Sequence, residues 1–207
     1  MTVAFKRPQV EFVISAAAAP QFPRDGRPEV AFLGRSNVGK SSLLNALAGV
    51  KGLAKVSSTP GRTRLVNFFR VDGAFYLADL PGYGYAKVPE AMRAGWEALV
   101  NSYLSERPSL ALSVFLVDAR HDPTEGDETL RSYLDHYRRP YVMAVTKIDK
   151  LGHSQAKVRR ESLARGIGRN ALAVIAVSAL TREGLEELWR TIRGAVDAHP
   201  GRGRDEH

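Results

Sequence analysis

Short apolar runs alternate along the chain with longer amphipathic stretches. Val30-Ala-Phe-Leu33 reads as a buried strand running into a glycine, and Val38 to Leu47 as a helix with Leu43, Leu44 and Leu47 on one face. Leu65 to Val71 and Ala74 to Ala78 read as paired strands joined through Asp72-Gly73, a favoured hairpin turn. Ala91 to Leu104 follows as a helix, Leu110 to Val117 as a strand, and Thr124 to Tyr137 as a helix with Leu130, Tyr133, Leu134 and Tyr137 at helical spacing. Tyr141 to Val145 is a strand, Ser154 to Arg165 a helix, Leu172 to Val177 a strand, and Glu183 to Val196 a helix that turns Leu185, Leu188, Trp189 and Ile192 inward. Strands alternating with helices predict crossover units, hence an α/β fold with a mostly parallel sheet covered on both faces. The spacing of Trp189 and Tyr133 marks them as core residues.

The 207 residues suit one domain, expected over 29–198. Residues 1–28 form an extension packed on it or leading into it, and 199–207 a mobile tail. Lys6 and Arg7 precede an apolar stretch ending in Ala16 to Ala19, but Pro8 and Glu11 interrupt it, so the segment reads as mature protein, not as a secretory leader. Nor does any apolar run approach the ~18 residues of a membrane span. Hydrophobic residues at 44% and charged residues at 25% exclude a disordered or fibrous chain. The absence of cysteine excludes disulfides, thiolate metal sites and cysteine nucleophiles, and fits a reducing cytoplasm. The five histidines have no metal-ligand spacing. A net charge of +8 favours a phosphate-rich partner such as RNA, DNA or an anionic membrane.

Gly34-Arg-Ser-Asn-Val-Gly-Lys-Ser41 matches G-x-x-x-x-G-K-S between a strand and a helix. Backbone N–H groups of Arg35, Ser36, Asn37, Val38 and Ser42, with the helix N-terminus, can wrap phosphates. Gly34 and Gly39 allow close approach, Lys40 adds a charge toward the outer phosphates, and Ser41 offers a hydroxyl to magnesium. Asp79-Leu-Pro-Gly82 ends a strand, so Asp79 can hold magnesium through water and the Gly82 N–H can meet a terminal phosphate. Thr146-Lys-Ile-Asp149, followed by Lys150, places a carboxylate where guanine offers N1–H and N2–H donors that adenine lacks. Lys147 can lie along the base, and the Ser178-Ala179 backbone can meet the guanine carbonyl. These motifs in this order, each after a strand, point to a guanine-nucleotide site with Mg2+. The turn-rich segment from Ala48 to Arg64, with Gly61 and Arg62, should carry a threonine that reaches magnesium only with the γ-phosphate present. Thr63, just ahead of the next strand, is chosen over Thr59, which precedes Pro60.

The chain closely resembles the bacterial YihA/EngB/YsxC-type GTPases, within the TrmE–Era–EngA–YihA–septin-like group. Glu29 to Leu43, Thr59-Pro-Gly-Arg-Thr63, Asp79 to Lys87, Asp118-Ala-Arg-His121 and Thr146 to Lys150 carry the resemblance, which spans about residues 10–195. It implies a Ras-like P-loop fold with about six strands, a GTP–GDP switch, Thr63 as the switch threonine, and a role in assembling the large ribosomal subunit. Lys40, Thr63 and Gly82 are then the groups that act on the reacting phosphate. Tyr83 stands where many GTPases carry a water-orienting glutamine, so intrinsic hydrolysis should be slow, at or below ~10⁻⁴ s⁻¹. Some relatives without that glutamine bind a monovalent cation near a phosphate-loop asparagine. Asn37 occupies that place, either as a potassium site or as a brace of the loop.

Three classes of function fit. One is a monomeric cytoplasmic GTPase acting on the large ribosomal subunit or its precursor, with Arg62, Arg64, Lys87 and Arg93 near RNA. Another is a switch with a protein partner in cell division, septation or stress control. The third is a membrane-surface GTPase, against which stands the lack of an anchor or lipidation signal. Tyr83 and Tyr85 belong either to the partner interface or to local packing. Arg138, Arg139, Lys157, Arg159 and Arg160 read as solvated helix faces.

Overall fold

The computed structural model describes residues 8–54, 65–84 and 90–201, with backbone alone for 90–93. Seven strands form one sheet: β1 Val10–Ala16, β2 Glu29–Gly34, β3 Val66–Val71, β4 Phe75–Asp79, β5 Leu110–Asp118, β6 Tyr141–Thr146 and β7 Val174–Ala176. Their order is β1-β3-β4-β2-β5-β6-β7. The first three strands in that order pair antiparallel, and β4, β2, β5, β6 and β7 run parallel. Five helices cover the sheet: α1 Lys40–Ala48, α2 Glu90–Glu106, α3 Glu125–His136, α4 His153–Arg165 and α5 Leu185–Ala198.

The sheet has seven strands where about six were expected. The additional one is β1, in the segment expected to be only an extension. It is an edge strand whose Phe12 and Val13 are exposed, so it lacks the unbroken apolar run of a central strand. The predicted hairpin forms: Asp72 and Gly73 have φ of 50° and 69°, the left-handed pair that a tight turn between twisted strands requires.

Alternate residues of each central strand serve the two layers. Val30 and Phe32 of β2 pack with Leu43, Leu44 and Leu47 of α1 and Leu188, Trp189 and Ile192 of α5. Ala31 and Leu33 pack on the other side with Val100, Tyr103 and Leu104 of α2 and Leu130 and Leu134 of α3. Trp189 closes its layer by donating its indole N–H to the Leu47 carbonyl at 3.0 Å.

A charged knot ties the amino ends of the parallel strands. Glu29, only 1% exposed, is paired with Arg107. It also accepts from Tyr103 at 2.6 Å and Ser109 at 3.0 Å. Arg107 donates onward to the Pro23 carbonyl at 2.6 Å and lies over the Phe22 ring, fastening the chain ahead of β2. At the other terminus the His199 ring meets the Pro108 carbonyl at 3.0 Å. Two of the cations read as solvated are also engaged: Arg139 donates to the Leu104 and Ser105 carbonyls, and Arg159 to Ala119, His121 and Asp122.

The knot is a buried pair whose rupture strands a charge. Glu29→Ala is expected to cost about 3–5 kcal/mol, read as a lower urea midpoint at unchanged slope.

Candidate nucleotide site

The chain reverses direction beside β2, whose parallel neighbours β4 and β5 lie on opposite sides of it. Ligands of open α/β sheets bind at the carboxyl ends of strands at such a point. All the motif residues within the described segments lie there. Gly34 ends β2, and a Cβ on it would meet Leu116 and Val38 at 3.0–3.1 Å, so the loop can leave the sheet only from a glycine. Gly39 is the N-cap of α1 at φ 104°. Lys40 opens the helix, with Ser41 and Ser42 after it.

The start of α1 has no side-chain cap and no acidic residue in its first turn. By contrast, α3 has a capping box at Thr124 and Glu125, Asp127 and Glu128 in its first turn. Helix N-terminal amides need acceptors and favour negative charge. The uncapped α1 terminus therefore suits an anion supplied from outside the chain. Lys40 is ion-paired with Asp79, both largely buried. A magnesium–phosphate group fits between such a pair, since phosphate oxygens take the ammonium and the divalent cation takes the carboxylate. Ser41 can add its hydroxyl to that cation. The buried Ser36 hydroxyl has no hydrogen-bond partner among the described residues.

Residues 36–38 of the phosphate loop are held by other strand ends. Ser36 N–H donates to the Tyr83 carbonyl at 2.8 Å. Lys147 Nζ donates to the Asn37 carbonyl at 2.5 Å, and the Thr146 hydroxyl to the Val38 carbonyl at 2.7 Å. The side chain of Thr146 thus fastens the loop. Asn37 has an exposed side chain and φ of 64°. Gly82 lies against Ser36, where a Cβ would sit 3.1 Å from the Ser36 nitrogen.

A cleft of about 680 Å³ extends past Gly39 between Asn45, Lys147, Asp149, Lys150 and Ala179. Asp149 accepts from the Ser178 hydroxyl at 2.7 Å, which holds its carboxyl below the usual carboxylate range. The Ser178 N–H is engaged by the Glu183 carbonyl at 3.0 Å. Of the two amides expected to meet guanine, that of Ser178 is thus engaged within the protein, while its hydroxyl meets Asp149. Lys150 is 3.5 Å from the far oxygen of Asp149. Arg35, exposed, covers Gly84. Gly61, Arg62 and Thr63, together with Arg64, Tyr85, Lys87 and the side chain of Arg93, lie outside the described residues.

A family model described as "50S ribosome-binding GTPase" matches residues 29–147. The chain is 46% identical over 190 residues to the probable GTP-binding protein EngB of Solibacter usitatus, covering 92% of this chain and 97% of that one. It is 47% identical over 184 residues to the same-named protein of Geobacter metallireducens, covering 88% and 89%. The chain belongs to the EngB family of GTPases. The crystal structure of a probable GTP-binding protein engB shares the fold at a TM-score of 0.65 and 21% identity, over 82% of this chain and 98% of that one. So does that of Era in complex with MgGDPNP and nucleotides 1506-1542 of 16S ribosomal RNA, at 0.64 and 24%, over 81% and 56%. Membership in the EngB family makes the chain a GTP-hydrolysing enzyme that takes GTP and GDP, usually with Mg2+.

Some contributors were not assigned a role from the sequence. Asp118 accepts from Lys147 at 3.0 Å and from Arg120 at 2.8 Å, and so aims Lys147 at the phosphate loop. Burial works to raise the Asp118 carboxyl, but hydrogen bonds from Arg120 and Lys147 hold it well below its usual range. Its place in Asp118-Ala-Arg-His121, at a strand end, was the available signal. Asn45 clamps Ala54 through both backbone groups, at 2.7 and 3.0 Å, a contact with no local signature. Tyr83 belongs to local packing: it is 7% exposed and buried between helices.

A carboxyl depressed by folding contributes stability above its unfolded value of 3.8, and that contribution is lost as pH falls. Asp118→Asn is therefore expected to lower the thermal midpoint at pH 7. The gap from wild type should narrow as pH drops below about 4, as a melting series across pH will record.

Proposed function

We propose that this protein is a slow GTP hydrolase whose nucleotide state times its attachment to the large ribosomal subunit or a precursor. The uncapped, cationic start of α1, set against Asp79 and in line with Asp149, carries the nucleotide half of this reading. Amides of residues 35–42 and Lys40 bind the phosphates. Ser41, Asp79 and Thr63 hold Mg2+, which when bound neutralises charge on the β- and γ-phosphates. The Gly82 N–H addresses the γ-phosphate. Asp149, kept ionised and oriented by Ser178, accepts from guanine N1–H and N2–H, with Lys147 along the base and the Ala179 amide at its carbonyl.

Hydrolysis is slow on this reading because of where Tyr83 points. Its hydroxyl donates to Asp127 on α3, so it is not free to orient an attacking water. Potassium beside Asn37 would supply part of the missing charge. Equal rates in potassium and sodium at matched ionic strength would remove that element alone.

The ribosomal half is supported by the description of the matching family model and by the charge of +8. No helix among the described residues is long and apolar enough to cross a membrane. A monomer in the cytoplasm goes with this reading.

Two hydrogen bonds to a charged acceptor are worth roughly 1.5–3 kcal/mol each, so Asp149→Asn should weaken GTP at least a hundredfold at pH 7. Calorimetry with GTP and ATP checks this; a loss below tenfold removes Asp149 as the base reader. In co-sedimentation with large subunits, the protein loaded with a non-hydrolysable GTP analogue should bind in preference to the GDP form and release steeply with salt. Binding that is indifferent to both nucleotide and salt would sink the ribosomal reading.

A further inference from the structure

We propose that Asp127 is a positioning residue for GTP hydrolysis, acting through the Tyr83 hydroxyl to hold Gly82 at a fixed height over the phosphate loop. The contacts form a continuous strut. The Tyr83 carbonyl accepts the Ser36 N–H at 2.8 Å, and residues 35 and 83 bridge in parallel. From that backbone the Tyr83 ring runs the other way, between Trp96 of α2, with ring centroids 5.3 Å apart, and the start of α3. There its hydroxyl donates to Asp127 Oδ1. Asp127 Oδ2 takes both the N–H and the hydroxyl of Thr124, each at 2.7 Å. The loop is pinned once more where the Trp96 indole N–H donates to the Pro81 carbonyl at 2.7 Å.

Three features mark the strut as more than a helix cap. Among the described residues, the cap of α3 uses Oδ2, whereas Oδ1 takes the Tyr83 hydroxyl. Asp127 is 4% exposed, although an N-cap box functions at the surface, and burying a carboxylate is costly unless its oxygens are all employed. Gly126 stands in the first turn of α3, where a Cβ would lie 2.7 Å from a Tyr83 ring carbon. Glycine is an unfavourable helix residue, so this position is shaped to admit the ring.

An amide donor stabilises developing charge only if it is held in place before the reaction, and small misplacements are costly. Gly82 has no side chain with which to hold itself. Its neighbours Pro81 and Tyr83 are both fastened, to α2 and α3 respectively, and Gly82 between them is pressed on Ser36. GDP lacks the γ-phosphate that Gly82 addresses, so the strut should matter for turnover and not for GDP. The proposal rests on the reading of Gly82 given above.

The test uses the full chain and the variants Tyr83→Phe, Asp127→Asn and the double. Tyr83→Phe keeps the wedge and removes one hydroxyl, so it folds even where Asp127→Asn weakens the helix cap. Single-turnover GTP hydrolysis and GDP affinity are measured on each, with Trp96 emission as a local probe. Each single variant should hydrolyse five- to twentyfold more slowly with GDP affinity within twofold of wild type. The double should match the slower single, since both changes act on the same Tyr83–Asp127 contact, one by deleting the donor and the other by taking away one of the two acceptor oxygens. Tyr83→Phe hydrolysing within threefold of wild type overturns the proposal, as do GDP affinity falling in step with rate, or losses that multiply. If wild type turns over GTP and the variants equal it, the strut alone fails. If wild type does not turn over GTP, the functional reading fails with it.

Discussion

The phosphate loop has no ladder of its own, and its backbone groups must find partners elsewhere. Buried amides and carbonyls are nearly always paired. Here the partners at residues 36–38 come from two other segments: the Tyr83 carbonyl takes the Ser36 N–H, and the adjacent Lys147 ammonium and Thr146 hydroxyl donate to the Asn37 and Val38 carbonyls. The ends of β4 and β6 are thereby tied to the end of β2. The same three ties set the strand ends that carry Asp79, Gly82 and Asp149 beside the phosphate loop. Each tie holds a different residue of the loop: Ser36, Asn37 and Val38.

Charge is distributed along the strands with a clear polarity. At the amino ends, Glu29 and Arg107 satisfy one another within a closed cluster of Tyr103, Ser109 and the Pro23 carbonyl. At the carboxyl ends, Lys40 and Asp79 satisfy one another beside an uncapped helix, in a place where each can trade its partner for a component of the ligand. The first arrangement resists exchange and the second invites it. Asp118 has an intermediate character, since it is paired with Arg120 and Lys147 and the latter reaches on to the phosphate loop.

The legible parts of the chain were those whose signal is contiguous. Buried parallel strands such as Val142-Met-Ala-Val145 announce themselves, and each nucleotide motif is a short string at a strand end. β1 was not read as a strand, because its residues Glu11 to Val13 are exposed and mixed in polarity. The helix starts were placed within about two residues, because capping geometry decides them. The engagement of the Ser178 N–H by the Glu183 carbonyl, five residues on in a turn, had no signature in the sequence. Tyr83, Trp96, Gly126 and Asp127 meet across separations of up to 44 residues, and no pattern in the chain announces such a meeting.

The order of strands in the sheet has a consequence for the birth of the molecule. β2 is made early but lies centrally, and its neighbour β5 is not complete until Asp118. The phosphate loop that follows β2 waits longer, for Thr146 and Lys147, and the Asp149 carboxylate waits for Ser178. Most of the chain must therefore exist before any part of it can grip a nucleotide. Non-local pairing of this kind is slow to assemble, and a ligand stabilises only the state that binds it. Nucleotide in the surrounding solution thus acts on the finished sheet as a whole, favouring its completed form over every partial one.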